Sequence, residues 1–295
     1  MRPVALTNFA MHNSSDLEPE AGCLQKLADN FYRLCAPNPS FMTGMGTNTY
    51  IYGDSELAVF DAGPAIDKHA KSILSVQETL DAPITHIFVS HTHMDHSPCT
   101  QLLKKSLPEA ICIGIPAEPN QPFEDHTFRP ELEPKDLQII DFASGQIQAI
   151  CTPGHVANHV CWLLKEHGVL LTGDHLMSGS TVVIIPPKGD MLAYIASLEK
   201  IQRLRFELIA PGHGSLIFAP HKLIDWTIKH RFAREAKVLS AISNKPSPLD
   251  ALVSSVYDDV ERHLYKIAKY SLHAHLLKLE RENKVRETEL GWVLD

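Results

Sequence analysis

Up to about residue 220 the chain alternates short apolar runs with segments of helical spacing, the pattern of a layered α/β domain. TNTYIYG and ELAVFDAG predict two short strands joined by a turn at Gly53 and Asp54. AIDKHAKSILSVQETL has the spacing of a helix, and ITHIFVSH predicts a buried strand. SPCTQLLKKSL predicts a helix with Ser97 as N-cap and Pro98 at its first position. Farther on, IQAICTPGH, GVLLTGD and FELIAPGHG repeat one arrangement, a β-rich apolar run that stops at a turn carrying His155, Asp174 or His213. With SHTHMDHS after the earlier strand, four strand ends terminate in metal-ligating side chains, and loops at strand ends are where sites are built on a rigid sheet.

After Pro220 the texture changes to three helical segments followed by VRETELGWVLD, which supplies the strand-turn-strand of a winged-helix unit. The charge changes with it. Residues 221–295 carry 13 Lys/Arg against 11 Asp/Glu, leaving 14 against 24 in residues 1–220. Two domains are therefore expected, 1–220 and 221–295. A formal charge of -8 argues against binding of nucleic acid or anionic membrane by the whole surface. The opening MRPVALTNFAMHNSSDLEPE lacks a continuous apolar leader, and no apolar run reaches the ~20 residues of a membrane span, so a cytoplasmic location without membrane association is expected. The six cysteines include no C-x-x-C pair and read as buried reduced thiols without a role.

HTHMDH places His91, His93, Asp95 and His96 within six positions. Without a metal, packing that many polar rings and a carboxylate together would be unfavourable. Imidazole and carboxylate donors together suit a borderline-soft divalent ion such as zinc. Neither pair in the motif completes a four-coordinate site, so the later strand ends must supply the rest. His91, His93 and His155 are assigned to a first ion and Asp95, His96 and His213 to a second, with Asp174 bridging them. Each ion keeps a position for a shared water, the mark of a catalytic site. Isolated histidines such as His69, His86 and His230 read as surface or core residues.

HTHMDH, TPGH with His155, LLTGD with Asp174 and APGHG with His213 resemble, in order and separation, the successive motifs of the metallo-β-lactamase-fold hydrolases. Asp61 in FDAG matches the family's aspartate near the start of the domain, which lies buried behind a metal-bound imidazole and orients it. PNPSFMTGMGTNTYIYG, PPKGDMLAYIASLEKIQRL and LLKLERENKV resemble the branch that includes the beta-lactamase-like protein 2 group and carries a C-terminal winged helix. The resemblance implies a four-layer αββα sandwich with a C-terminal helical, winged-helix-like domain and a hydrolase holding two Zn2+ or other divalent ions. Relatives often follow the histidine cluster with Gly-Gly, whereas this chain has Ser97-Pro98-Cys99, which stiffens the helix entry without altering a ligand.

A hydroxide bridging two ions about 3.5–4 Å apart would attack the substrate without a Ser or Cys nucleophile, and Asp95 would orient it and then carry its proton to the leaving group. The acidic body favours a small-molecule acyl substrate, a thioester or ester, over a polyanion. The alternative is a single-stranded RNA endoribonuclease whose tail, through Arg262, Lys266, Lys269, Lys278, Arg281 and Lys284, supplies the positive surface. Interspersed Asp258, Asp259, Glu280 and Glu282 fit a solvated helix face better. The tail is otherwise expected to shape the cleft or a homodimer. A mononuclear-iron dioxygenase of the same fold is a third reading, disfavoured because Asp95, His96 and His213 are all present. His159 and His175 stand beside ligands as candidate donors behind the metal, with a core role the simpler account. Asn48 is a weak candidate facing the site, and Phe41, Met42 and Met45 are weighed as an apolar flap against plain loop packing.

Overall fold

The computed structural model describes residues 18–119 and 123–295. The expected lack of an N-terminal leader concerns residues almost wholly outside this range. The chain divides into two units. One comprises the described part of Met1–Cys151 with Asn158–Ser180 and Arg205–Pro220, and the other comprises Thr152–Ala157, Thr181–Leu204 and His221–Asp295.

The first unit contains two mixed sheets. In one, β1 (Leu24–Ala28), β2 (Phe31–Cys35), β3 (Asn48–Gly53), β4 (Leu57–Phe60), β5 (Ile84–Phe88) and β6 (Ile111–Ile113) pair in sequence order. The second has the order β11 (Leu208–Pro211), β10 (Val169–Gly173), β9 (Val160–Leu164), β8 (Gly145–Cys151), β7 (Ile139–Phe142). Strict alternation divides each strand between two cores. In β4, Ala58 and Phe60 join Phe31, Tyr50, Phe88, Trp162 and Leu171 in one cluster, while Leu57 and Val59 pack with Ile73, Val76 and Leu103 in another. Those last three belong to α1 (Asp67–Leu80) and α2 (Cys99–Ser106), so β4 is covered on both faces and its sequence, LAVF, is a continuous apolar run.

Most neighbouring strands are antiparallel, but β4 and β5 pair in parallel, as do β5 and β6 and, in the second sheet, β10 and β11. Parallel pairing brings the C-terminal ends of both partners to the same edge. Asp61 and Ser90-His91 thus emerge together from one sheet, and Asp174 and His213 from the other.

Two local expectations shift. The N-cap of α2 is Pro98 and makes no side-chain cap bond, because the Ser97 hydroxyl donates instead to Asp125 at 2.8 Å. No disulfide forms among the described residues, and Cys23 is exposed rather than buried.

The second unit contains α3 (Met191–Gln202), α4 (Pro220–Ala241), α5 (Leu249–Val256), α6 (Tyr265–Arg281) and the hairpin β12 (Val285–Thr288) and β13 (Gly291–Leu294). Asp190 caps α3 by accepting from the N–H groups of Leu192 and Ala193. Val238, Leu252, Val256, Leu272, Leu276 and Trp292 form the core of the three-helix and hairpin body, and Ser247 makes an isolated antiparallel bridge to Trp292 of the hairpin. Among the described residues no helix is long and apolar enough to cross a membrane.

Candidate metal centre

Within the first unit, ligand atoms of His91, His93 and Asp174 lie within 4.8 Å of one another, as do those of Asp95, His96 and His213. The Asp174 Oδ1 also stands 3.4 Å from His96 Nε2 and 3.3 Å from His213 Nε2, so this carboxylate adjoins both sets. Asp95 Oδ2 lies 3.3 Å from His213 Nε2 and 3.6 Å from His96 Nε2.

The surrounding hydrogen bonds decide which ring nitrogen each histidine presents. Asp61 is the centre of this system. It sits at φ 52, a left-handed conformation that a short polar residue tolerates, and its carboxylate accepts from the Ser90 N–H and the Ser90 hydroxyl, each at 2.7 Å. With the Ser90 proton committed to Asp61, the 2.9 Å contact between Ser90 Oγ and His91 Nδ1 is the imidazole donating, which leaves the His91 lone pair on Nε2. His96 Nδ1 donates to Asp61 Oδ2 at 3.0 Å, with the same result. His213 Nδ1 donates to the Gly46 carbonyl at 3.2 Å. His93 is reversed: its Nε2 faces the Glu124 carboxylate at 3.5 Å while its Nδ1 lies 3.0 Å from His91 Nε2. His155 belongs to the second unit, where its Nδ1 donates to the Val183 carbonyl at 2.9 Å and so assigns Nε2 as the acceptor nitrogen.

The electrostatics of this cluster call for positive charge. Burial alone would lower His213, but Asp174 and Asp95 lift it to about 10. His96 is held well above its ordinary range against burial by the same two carboxylates. Burial would raise Asp95, yet His96 and His213 bring it down to about 2, and against burial His213 and His96 hold Asp174 well below the usual carboxylate range. His91 moves the other way, pushed well below its usual value by burial and by the neighbouring His96, His93 and His159 rings. Space matches charge: a Cβ built at Gly212 would come within 2.7 Å of His96 Cε1 and 2.8 Å of Asp174 Oδ1. Imidazole and carboxylate donors, oriented from behind and drawn together around a point a methyl group would obstruct, fit a divalent metal.

Two supports were not legible in the sequence. Glu124 approaches His93 and accepts from the Thr92 hydroxyl, and Asn158 Nδ2 donates to that hydroxyl's oxygen at 2.6 Å. Burial pushes the Glu124 carboxyl up from its ordinary range. The only signal for Glu124 would have been an acidic residue in a loop far along the chain. Asn48 does not face the cluster. Its side chain donates to the carbonyls of Pro211 at 3.0 Å and Gly214 at 2.9 Å, stapling β3 to the turn that carries His213. His159 and His175 are fully buried, and the His159 ring stacks on His91 with centroids 5.1 Å apart. His69 is buried as a core histidine.

Residues 42–213 match the metallo-beta-lactamase superfamily, and residues 249–292 match the beta-lactamase associated winged helix domain. A beta-lactamase-like protein 2 homolog of Drosophila melanogaster is 31% identical, over 88% of this chain and 91% of its own length. An atrochrysone carboxyl ACP thioesterase of Aspergillus fumigatus is 28% identical over 77% of this chain and 69% of its own. Among solved structures, a beta-lactamase domain protein from Burkholderia ambifaria superposes with a TM-score of 0.78 at 17% identity, covering 97% of this chain and 96% of its own. A metallo-beta-lactamase family protein from Thermus thermophilus does so with a TM-score of 0.75 at 18% identity, covering 92% of this chain and all of its own. The α/β fold of this chain, with its mixed sheets and C-terminal winged-helix domain, thus matches that of these solved structures. The chain belongs to the metallo-beta-lactamase superfamily, as a metal-dependent hydrolase that carries the associated winged helix domain.

Proposed function

We propose that the protein hydrolyses an acyl thioester or ester with two zinc ions, one held by His91, His93 and His155 and the other by Asp95, His96 and His213, with Asp174 between them. The observation that carries this reading is the convergence of Asp174 on both donor sets, each with its ring nitrogens oriented by partners behind them. Ions so held supply Lewis acidity and bring the pKa of water near neutrality. The chain's own residues do the rest. Asp61, Ser90 and the Gly46 carbonyl fix the tautomers of His91, His96 and His213. Asp95, only 28% exposed at its side chain, faces solvent on one side, which suits it to hold the attacking water and return its proton to the leaving group. The catalytic part is proposed to be 1–220, with 221–295 as the winged-helix part.

The acyl substrate is supported by relatives named as thioesterases. It is also supported by Phe41, Met42 and Met45, which are 74%, 51% and 57% exposed rather than packed into the loop. That loop ends at Gly46, whose carbonyl accepts from His213, so an apolar surface adjoins the metal ligands. Against RNA stands the neutralisation of the tail. Lys269 pairs with Asp250, Lys278 with Glu235 and Glu282, Arg281 with Asp190, and Lys284 with Glu282. The one-iron reading would leave Asp95, His96 and His213 unused.

The test is metal analysis combined with turnover of a chromogenic thioester, a bis-aryl phosphodiester and a labelled single-stranded RNA. Two zinc per chain with thioester turnover is expected. RNA cutting that weakens steeply with salt would replace the acyl reading, and one iron per chain with oxygen uptake would replace hydrolysis altogether.

A further inference from the structure

Among the candidate ligands His155 is the one whose loop, Thr152–Ala157, belongs to the second unit. What fixes that loop is found in the same unit. The Val183 carbonyl accepts from His155 Nδ1, and the adjacent Val182 carbonyl accepts from Arg231 Nη2 at 2.5 Å. Arg231 lies on α4 and is only 3% exposed. Its guanidinium carbon also sits 5.2 Å from the centre of the Tyr194 ring on α3. Tyr194 in turn is the backbone against which Gly154 closes: at φ +147, a Cβ at Gly154 would meet the Tyr194 Cα at 2.4 Å. The glycine immediately before His155 and the carbonyls immediately behind its ring are therefore both referred to one buried side chain. A second tie runs parallel, since the Asp190 N–H donates to the Gly154 carbonyl at 2.8 Å while its carboxylate receives Arg281 of α6.

We propose that Arg231 is a positioning residue for His155, so that the C-terminal helices serve the metal site by holding one of its ligands in register. The proposal rests on the reading of His155 as a ligand. A planar guanidinium suits this role because it fixes a carbonyl by a charged hydrogen bond and an aromatic face by stacking at once, which an aliphatic side chain cannot do. Loss of the charge would release the Val182–Val183 segment and leave the His155 Nδ1 bond with a mobile acceptor.

The experiment measures zinc affinity of the full chain, by competition with a chromophoric chelator, for the wild type and for His155→Ala, Arg231→Met, Arg231→Lys and Arg234→Met. Arg234 is the control. It is equally buried on the same helix but donates to the Val256 carbonyl and pairs with Asp259. Arg231→Met is expected to weaken one zinc site by about tenfold, the lower end of the range for groups behind a ligand, and to leave the other unchanged. Arg231→Lys, which keeps charge and a donor, is expected to recover part of that loss, and it also serves if the methionine variant does not fold. Arg234→Met should bind both ions as the wild type does. Equal loss in the Arg231 and Arg234 variants, or none in either Arg231 variant while His155→Ala binds weakly, overturns the proposal and leaves the ligand set standing. Unchanged affinity in His155→Ala overturns the ligand assignment itself and the proposal with it.

Discussion

A single carboxylate, Asp61, determines how two of the candidate ligands present themselves. Replacement by Asn keeps the shape and the tolerance of the left-handed backbone, but an amide has one accepting oxygen where the carboxylate has two. An NH2 group in the place of Oδ1 would confront the Ser90 N–H, and in the place of Oδ2 it would confront both the Ser90 hydroxyl and His96 Nδ1, where the easy escape is for His96 to move its proton to Nε2 and so block metal binding. Asp61→Asn is expected to weaken divalent-metal affinity by about 10- to 100-fold, as measured by chelator competition, with little change in the far-ultraviolet CD spectrum. Behind Asp61 lies His69. The Thr49 hydroxyl donates to the Asp61 carbonyl at 2.7 Å, so the 2.9 Å contact between Thr49 Oγ1 and His69 Nε2 is the imidazole donating. Burial lowers His69 to about 4. The folded chain thus resists a proton that the unfolded chain accepts below about 6.5, so stability is complete above that pH and declines as the pH falls toward 4. The decline should approach about 1.4 kcal/mol per pH unit from this group alone. His69→Gln, which can still donate to Thr49 but does not titrate, should show a shallower loss of denaturation midpoint between pH 6.5 and 4.5 than the wild type. Parallel pH profiles in the two proteins would refute the assignment.

At the scale of elements, the site depends on parallel strand pairs delivering their ends to one place, and on backbone that can approach without side chains. Gly212 follows β11 directly, and its N–H donates to the Gly173 carbonyl at the end of β10 at 2.8 Å. Gly212→Ala would force a methyl group toward His96 and Asp174 and displace them by a fraction of an ångström to an ångström, a misplacement that costs about 100-fold in rate. Thioester turnover and metal stoichiometry should both fall while the apo-protein stays folded. This delivery was legible in the sequence because each ligand-bearing turn follows an apolar run and carries its own Gly or Pro punctuation, as in TPGH, LLTGD and APGHG. The hairpin β1–β2 was not. Its strands, LQKLA and FYRLC, carry Lys26 and Arg33 inside the β-pattern, and Arg33 is fully buried by donating to Gln25, a pairing no periodicity reveals. The same reason hid Glu124, whose relation to His93 exists only once the chain has folded, and misplaced the cap of α2, where Ser97 was claimed by Asp125. Motif spacing reports candidate ligands, while the partners that orient them are chosen by tertiary geometry.

For the whole molecule, Asp95, Asp174, His96 and His213 form a buried charged cluster in which the carboxylates lift both imidazoles and the imidazoles lower both carboxylates against burial, so that protons on the rings supply the positive charge. A metal that binds only the folded chain takes the place of those protons and adds its own binding free energy to stability. By linkage, free zinc at 100 times the dissociation constant of a site adds about 2.7 kcal/mol to folding stability. A domain of this size shifts by about 2–4 °C in Tm per kcal/mol, so each filled site should contribute about 5–10 °C. Chelator-treated protein is accordingly expected to melt earlier than protein dialysed against zinc, with the difference growing with the logarithm of free zinc. His213→Ala, which removes one donor from the set of Asp95 and His96, should retain the increment of one site and lose that of the other. A melting curve indifferent to zinc, in wild type and variant alike, would mean that these donors meet without holding an ion, and the hydrolytic reading would fall with them.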